Sequence, residues 1–459
     1  MTAARLPVLD RRRAGVLLHP TSLLGGGQAG ALGAAAHAFI DWLADAGFTV
    51  WQMLPLGPTG AEGSPYWARS DHAGNPRLID PSIEPEGGQG AFEAFCQAQS
   101  HWLEDYALFE ALALAHDGLP WWEWPEPLRD RDPQALVHAR VQYSAHCHRV
   151  KREQWLFDDQ WRRLRAHAQW RGVRLFGDLP IYVAPDSVSV WTQRAQFQLD
   201  DRGRPWSVAG VPPDYFAEDG QLWGNPLYDW DRMREDGFAY WRERIREQLA
   251  RFDLVRIDHF RGLAAYWAVP AGERTARNGE WRQAAGREML EAVLRECADL
   301  PVVAEDLGVI TPDVDALRRD FGLPGMRVLQ FAFGGGADNP HLPHNHGLDT
   351  VVYTGTHDND TTVGWSAHLD DAARRHLVDY FGLWDDDAPD ALTRAALASV
   401  ARLAVLPMQD ILRLGSDARL NLPGTVNGNW VWRLPPDGLT PSLAGQYREL
   451  NALYGRLGT

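Results

Sequence analysis

The sequence predicts an α/β fold: a (β/α)8 TIM barrel with subdomains inserted over its C-terminal face and no C-terminal β-domain. Three observations carry that prediction. Eight short apolar or β-branched runs are spread over the 459 residues, and helical patterns lie between most of them. After the eighth run there is chain for one or two helices. Parallel neighbours need helical crossovers, so strands that alternate with helices eight times point to a parallel barrel.

The first run is GVLLHPTS (15–22), followed by the helical pattern AAHAFIDWLADAG (35–47) and the second run, TVWQMLPL (49–56). Residues 57–172 are too long for a plain crossover. They are helical and rich in tryptophan, as in QSHWLEDYALFEALALAH and VKREQWLFDDQWRRLRAHAQW, and read as an inserted, mostly helical subdomain. The third run, VRLFGDLPI (173–181), leads into a second long connection, 182–253. Its stretch VAGVPPDYFAEDGQLWGNPLYDW (208–230) reads as a loop-rich insertion, and long loops in a compact domain are usually functional. That connection ends in FAYWRERIREQLARF, where Phe238, Trp241, Ile245, Leu249 and Phe252 recur every three or four positions, as one buried helix face requires. LVRID (254–258), the helical GREMLEAVLRECA (286–298), PVVAED (301–306), GMRVLQFAF (325–333), TVVYTGTHD (350–358) and RLAVLPMQDIL (402–412) complete one catalytic barrel over 1–459.

Composition narrows the chemistry. The 45 basic residues stand against 61 acidic ones, a net charge of −16 that disfavours nucleic acid and anionic membrane as partners. Lys151 is the single lysine. No phosphate loop ends in Gly-Lys-Ser/Thr, and a Schiff-base enzyme would have to use Lys151. Cys96, Cys147 and Cys297 are too far apart for a disulfide framework or a cysteine zinc cage, which fits a reducing, cytoplasmic setting. The N-terminal MTAARLPVLDRRR has no apolar signal-peptide core, and no run of 18 apolar residues suggests a membrane helix. The 21 tryptophans either fill a core or offer flat faces to a ligand.

In a (β/α)8 barrel the C-terminal strand ends meet at one mouth, where catalysis sits. The ends here carry Asp178 (GDLP), Arg256 and Asp258 (RIDHFRG), Glu305 (AEDLG) and His357-Asp358 (GTHDND). A carboxylate nucleophile with a second carboxyl as acid/base is the logic of glycoside cleavage through a covalent glycosyl-enzyme. Acids after a strand also cap helices, and Asp306 or Asp360 can do that alone. Gathering acids at three strand ends is costly without a use. HLPHNH (341–346) can be read as a metal site but lacks an acid at ligand spacing. His357-Asp358 can be read as the pair of a metal-dependent phosphohydrolase, for which further ligands are missing. WWEW (121–124) reads as core or cover rather than a sugar platform.

RIDHFRG, AEDLG and GTHDND, in this order, resemble the catalytic regions of the α-amylase clan. With SPYWARSDHAGNPRLID (64–80), GVPPDYF and WGNPLY (210–228) and FGLPGMRVLQFAF (321–333), they resemble the amylomaltase, or 4-α-glucanotransferase, family from AGVLLHPTSL to GNWVWRL. The resemblance implies Asp258 as nucleophile, Glu305 as general acid/base and Asp358 as transition-state stabiliser. It further implies sugar contacts from Tyr66, Asp178, Asp214, Trp223, Arg256 and His357. No cofactor and no metal are implied, and maltooligosaccharides and α-1,4-glucans are the partners, with a monomer favoured. The rival readings are a retaining α-glucan hydrolase with the same three acids and a catalytically silent glucan-binding protein. On physical grounds Asp258 has to be ionised to attack, and Arg256, on the same strand face, is expected to lower its pKa. Glu305 has to start protonated, so burial and nearby carboxylates are expected to raise its pKa. Two departures stand out: TGAEGSPY has Ala61 where the family usually has a tyrosine, and the stretch after LIDP is shortened. Both remove parts of a remote glucan groove, so disproportionation of short oligomers with little large cycloamylose is expected.

Overall fold

The computed structural model describes residues 7–23, 31–60, 62–213, 218–297, 299–383, 387–425 and 427–458. Eight parallel strands form the barrel: β1 (Arg13–Leu17), β2 (Val50–Gln52), β3 (Arg174–Leu179), β4 (Leu254–Ile257), β5 (Val302–Ala304), β6 (Gly325–Val328), β7 (Thr350–Tyr353) and β8 (Leu403–Pro407). Each lies within one of the predicted runs or overlaps it. They pair in chain order except across β5 and β6, and β8 pairs back onto β1. The seam between β5 and β6 is bridged by Ala304, whose N–H donates to Pro324 O at 2.8 Å. Asp306 also helps close it, accepting from Met326 N at 2.6 Å while Arg327 and Arg318 lie alongside. Asp306 therefore does structural work, at the seam rather than at a helix cap.

The strands read as continuous apolar runs because both of their faces are covered. Leu17, Val50, Phe176, Leu254, Val303, Val351 and Leu403 fill the barrel interior. Their neighbours Val16, Trp51, Leu175, Val255, Val302, Val352 and Ala404 face the surrounding helices. Strand alternation then continues upward. Phe176 is followed on the inner side by Asp178, Leu254 by Arg256 and Asp258, and Val303 by Glu305. The polar site therefore sits directly on the packed interior layer.

Between β2 and β3 the chain forms the helices Gly88–Ala98, Ser100–Ala115, Glu126–Arg129, Pro133–Gln142 and Ser144–Trp170. The WWEW stretch packs inward: Trp121 and Trp124 are buried, and Trp124 meets Trp191 edge-on at 5.6 Å. The pattern at 238–252 forms the helix Ala239–Arg251, with Trp241 and Ile245 buried and Phe252 packed just beyond its end. A Cβ on Gly177 would lie 2.3 Å from the Phe252 ring, so glycine there lets this helix seat against β3.

The connection 182–253 departs from its loop-rich reading. Ser207–Val211 and Gln221–Pro226 are antiparallel strands, extended into a four-stranded sheet by Ala265–Pro270 and Glu280–Gln283 from the next connection. After β8 the described residues carry helices and turns, the last helix being Pro441–Leu453. Among the described residues no helix is long and apolar enough to cross a membrane.

Candidate active site

Arg256 organises the mouth. Asp178 and Arg256 are direct neighbours across β3 and β4. The Arg256 guanidinium donates to both Asp178 oxygens, through Nε at 3.0 Å and Nη2 at 2.7 Å. Nη2 also reaches the Tyr66 hydroxyl at 2.8 Å and Asp258 Oδ1 at 2.9 Å. Tyr66 in turn donates to Asp178 Oδ2 at 2.7 Å and stacks on His357 with centroids 5.3 Å apart. Arg256 and Asp178 are buried, whereas the Asp258 side chain keeps 30 % of its surface open.

Glu305 ends β5. Its oxygens accept two backbone N–H groups, from His259 at 2.7 Å and from Leu307 at 2.8 Å. Asp358 lies after β7, where Oδ1 accepts from Asn421 Nδ2 at 2.6 Å with His357 Nε2 at 3.3 Å. Trp223, on the strand Gln221–Pro226, meets the His259 ring edge-on at 4.7 Å. Tyr66, Asp178, Arg256, Asp258, Glu305, His357 and Asp358 are thus gathered at one mouth, with Trp223 at its side. Asp214 and Ala61 lie outside the described residues.

The electrostatics correct one expectation. Arg256 does not leave Asp258 with a depressed pKa: the carboxyl is pushed up to about 8. Burial is the main cause. Arg256 pulls the other way, and Asp178, Glu305 and Asp358 add to the rise. The arginine's charge is already engaged by Asp178, so one cation serves a surplus of anions. Glu305 is raised as expected, chiefly by burial, against Arg256 and its two N–H donors. Both carboxyls are raised, so the pair holds on to protons at higher pH than free carboxyls do. Burial also lowers His357, so its imidazole is neutral beside Asp358.

Three residues escaped the strand-end reading. Asn421 and Arg419 come from the segment after β8; Arg419 Nη2 donates to the Asp358 carbonyl at 2.5 Å. Trp430 lies 6.1 Å from both Tyr66 and His357, with φ 65°. Its GNWVWRL motif was a signal; Asn421 had none, because its role depends on a partner 63 residues away. The histidines of HLPHNH are engaged elsewhere. His341 Nδ1 accepts from Val328 N, His344 contacts Tyr380 and Ala337, and His346 contacts Ser399 and the His341 carbonyl. Asp360 accepts from Thr361 N and Ser416 at the start of the helix Thr362–Ala367.

A second buried arginine lies behind Tyr66 and Asp178, across a small cavity of about 30 Å³ that all three line. Arg244 pairs with Asp71 at 3.2 Å and donates to Tyr228 and to the carbonyls of Pro180 and Ile181.

The family model described as 4-alpha-glucanotransferase matches residues 18–89 and 82–440. The chain belongs to the 4-alpha-glucanotransferase family. The two matched pieces overlap at 82–89, just after LIDP. The 4-alpha-glucanotransferase of Thermus thermophilus is 46 % identical, over 97 % of this chain and 99 % of the relative. That of Synechocystis is 45 % identical over 98 % and 99 %. The solved amylomaltase from Streptococcus agalactiae in complex with acarbose superposes with a TM-score of 0.92 at 33 % identity, covering 98 % of this chain and all of that one.

Proposed function

We propose that this 4-α-glucanotransferase works by double displacement, with Asp258 as nucleophile, Glu305 as acid/base and Asp358 as stabiliser of the charged sugar. The observation that carries the reading is the gathering of three carboxyls at one mouth: Asp258 against Arg256 at 2.9 Å, Glu305 in a fork of two backbone N–H groups, and Asp358 held by Asn421. As positive charge builds at C1, it favours the negative charge on Asp258 and leaves the proton on Glu305. The Asp258 carboxylate attacks C1, the bond from C1 to the leaving O4 breaks, and Glu305 delivers its proton to that oxygen. In the second step the 4-hydroxyl of another glucan attacks C1, Glu305 takes its proton, and Asp258 departs. Two inversions give net retention. Asp358, held on one oxygen by Asn421, opposes the developing charge. Tyr66, Asp178, Arg256 and His357 seat the sugar, and Trp223 contacts the glucan beside them; Asp214 is assigned a glucan contact by the family resemblance alone. The inserted segments 57–172 and 182–253 wall the cleft and keep the glycosyl-enzyme from water.

Maltooligosaccharides and other α-1,4-glucans are the substrates of this reading, a monomer in the cytoplasm its setting. The three free cysteines suit a reducing compartment. Incubation with maltotriose tests it: glucose plus a ladder of longer oligomers is expected, whereas glucose and maltose alone would make the protein a hydrolase. Long amylose is expected to yield less large cycloamylose than a relative with the full segment after LIDP gives, and equal yields would contradict that part.

A further inference from the structure

His259 follows the nucleophile and takes no part in the chemistry above. Its backbone lies in the left-handed region, φ 47° and ψ 49°, which a residue with a Cβ rarely adopts unless its surroundings hold it there. Two contacts accompany that conformation. Its N–H donates to Glu305 Oε2 at 2.7 Å, and Trp223 packs edge-on against its imidazole at 4.7 Å. Glu305 therefore sits in a fork of two N–H groups, one from Leu307 and one aimed by the turned backbone of His259. Such donors favour the charged carboxylate, so the protonated acid releases its proton more readily. The charged groups acting on Glu305 are Arg256 and Asp258 from β4 and Asp306 beside it. The imidazole itself is neutral, lowered to about 3 by burial and by Arg261, so it meets Trp223 as an uncharged ring.

We propose that His259 is a positioning residue for the proton transfer: its left-handed backbone, braced by Trp223, aims the N–H that orients Glu305 and sets its acid strength. The strand that carries Trp223 is thereby coupled to the acid/base. This inference rests on the reading of Glu305 as acid/base, and the experiment separates the two.

His259→Ala and His259→Gly are compared with the unaltered enzyme on maltotriose and on α-maltosyl fluoride, whose leaving group departs without a proton. First-turnover fluoride release reads formation of the glycosyl-enzyme alone. For His259→Ala, kcat on maltotriose is expected to fall about tenfold or more, with fluoride release within about threefold of the unaltered enzyme. The alkaline limb of kcat/KM is expected to move to higher pH, because an N–H turned away from Oε2 no longer favours the charged form of Glu305. His259→Gly takes the left-handed backbone without strain and so keeps the N–H aimed at Glu305 while losing the imidazole, and a smaller loss is expected. Adding Trp223→Ala to His259→Ala is expected to cost less than the sum of the two single losses. Equal losses on both donors, an unmoved alkaline limb or unchanged kcat on maltotriose would overturn the proposal. Glu305→Ala run alongside tells the failures apart. If fluoride release survives in Glu305→Ala but falls in His259→Ala, this inference alone fails. If Glu305→Ala loses fluoride release as fully as maltotriose turnover, the acid/base reading fails with it.

Discussion

Arg256 and Arg244 are both buried arginines that bind an aspartate and a tyrosine hydroxyl, yet they sit in opposite kinds of balance. Around Arg244 one guanidinium faces one carboxylate. Asp71, despite the burial that would raise it, is held below its usual range by Arg244 and by the Tyr240 hydroxyl that donates to it. The remaining donors of Arg244 go to Tyr228 and to the carbonyls that follow β3. Around Arg256 one guanidinium faces Asp178 and Asp258, with Glu305 and Asp358 beyond them, and Asp258 is left high. Matched charges make a brace. A surplus of carboxylates raises Asp258 and Glu305 together, a balance that positive charge on a bound sugar would shift back.

The widest separation is expected in activity. Asp258→Ala is expected to lower disproportionation of maltotriose on the order of 10⁴-fold or more, while Asp71→Ala leaves all three proposed catalytic carboxyls in place. Activity of Asp258→Ala near the parent level would break the assignment. Arg256→Met comes next, with kcat expected to fall about 10²–10³-fold as the nucleophile and Asp178 lose their shared donor. Arg244→Met is expected to act on the fold instead, costing about 3–5 kcal/mol in denaturant unfolding because Asp71 is left buried and unpaired. A larger loss from Arg244→Met in kcat than in stability would erase the distinction.

The effect of pH sharpens the same contrast. Above about 8 the Asp258–Glu305 pair is expected to lose its proton, so kcat/KM should fall on the alkaline side with an apparent pKa near that value. The smallest effect concerns stability. Asp258 binds its proton more tightly folded than unfolded, so its contribution is full at acid pH and is lost as pH rises from the unfolded value toward about 8. Asp258→Asn, which cannot ionise, is therefore expected to melt about 1–3 °C above the parent at pH 8 and to show little difference at pH 4. A lower Tm at pH 8 would contradict the surplus of charge.

How much of this was legible in the sequence follows from distance along the chain. The eight strands were legible because each is a local apolar run, and Asp178, Arg256, Asp258 and Glu305 were legible because alternation carries an inner strand face upward into the mouth. The small sheet was not. Ser207–Val211 finds its partner near residues 267–270, which no local pattern records. Asn421 escaped for the same reason. The raised pKa of Asp258 escaped because it depends on how many carboxylates share one guanidinium, a count that the spacing of Arg256 and Asp258 cannot supply.

The central claim is that Asp258 forms the covalent glycosyl-enzyme, and trapping tests it most directly. Glu305→Gln, incubated with α-maltosyl fluoride, lacks the base that would complete transfer while the leaving group needs no acid. The intact protein is expected to gain the mass of one maltosyl unit, and peptide mapping is expected to place it on the Asp258 carboxyl. An adduct on any other residue, or fluoride release with no adduct and immediate inversion at C1, would contradict it.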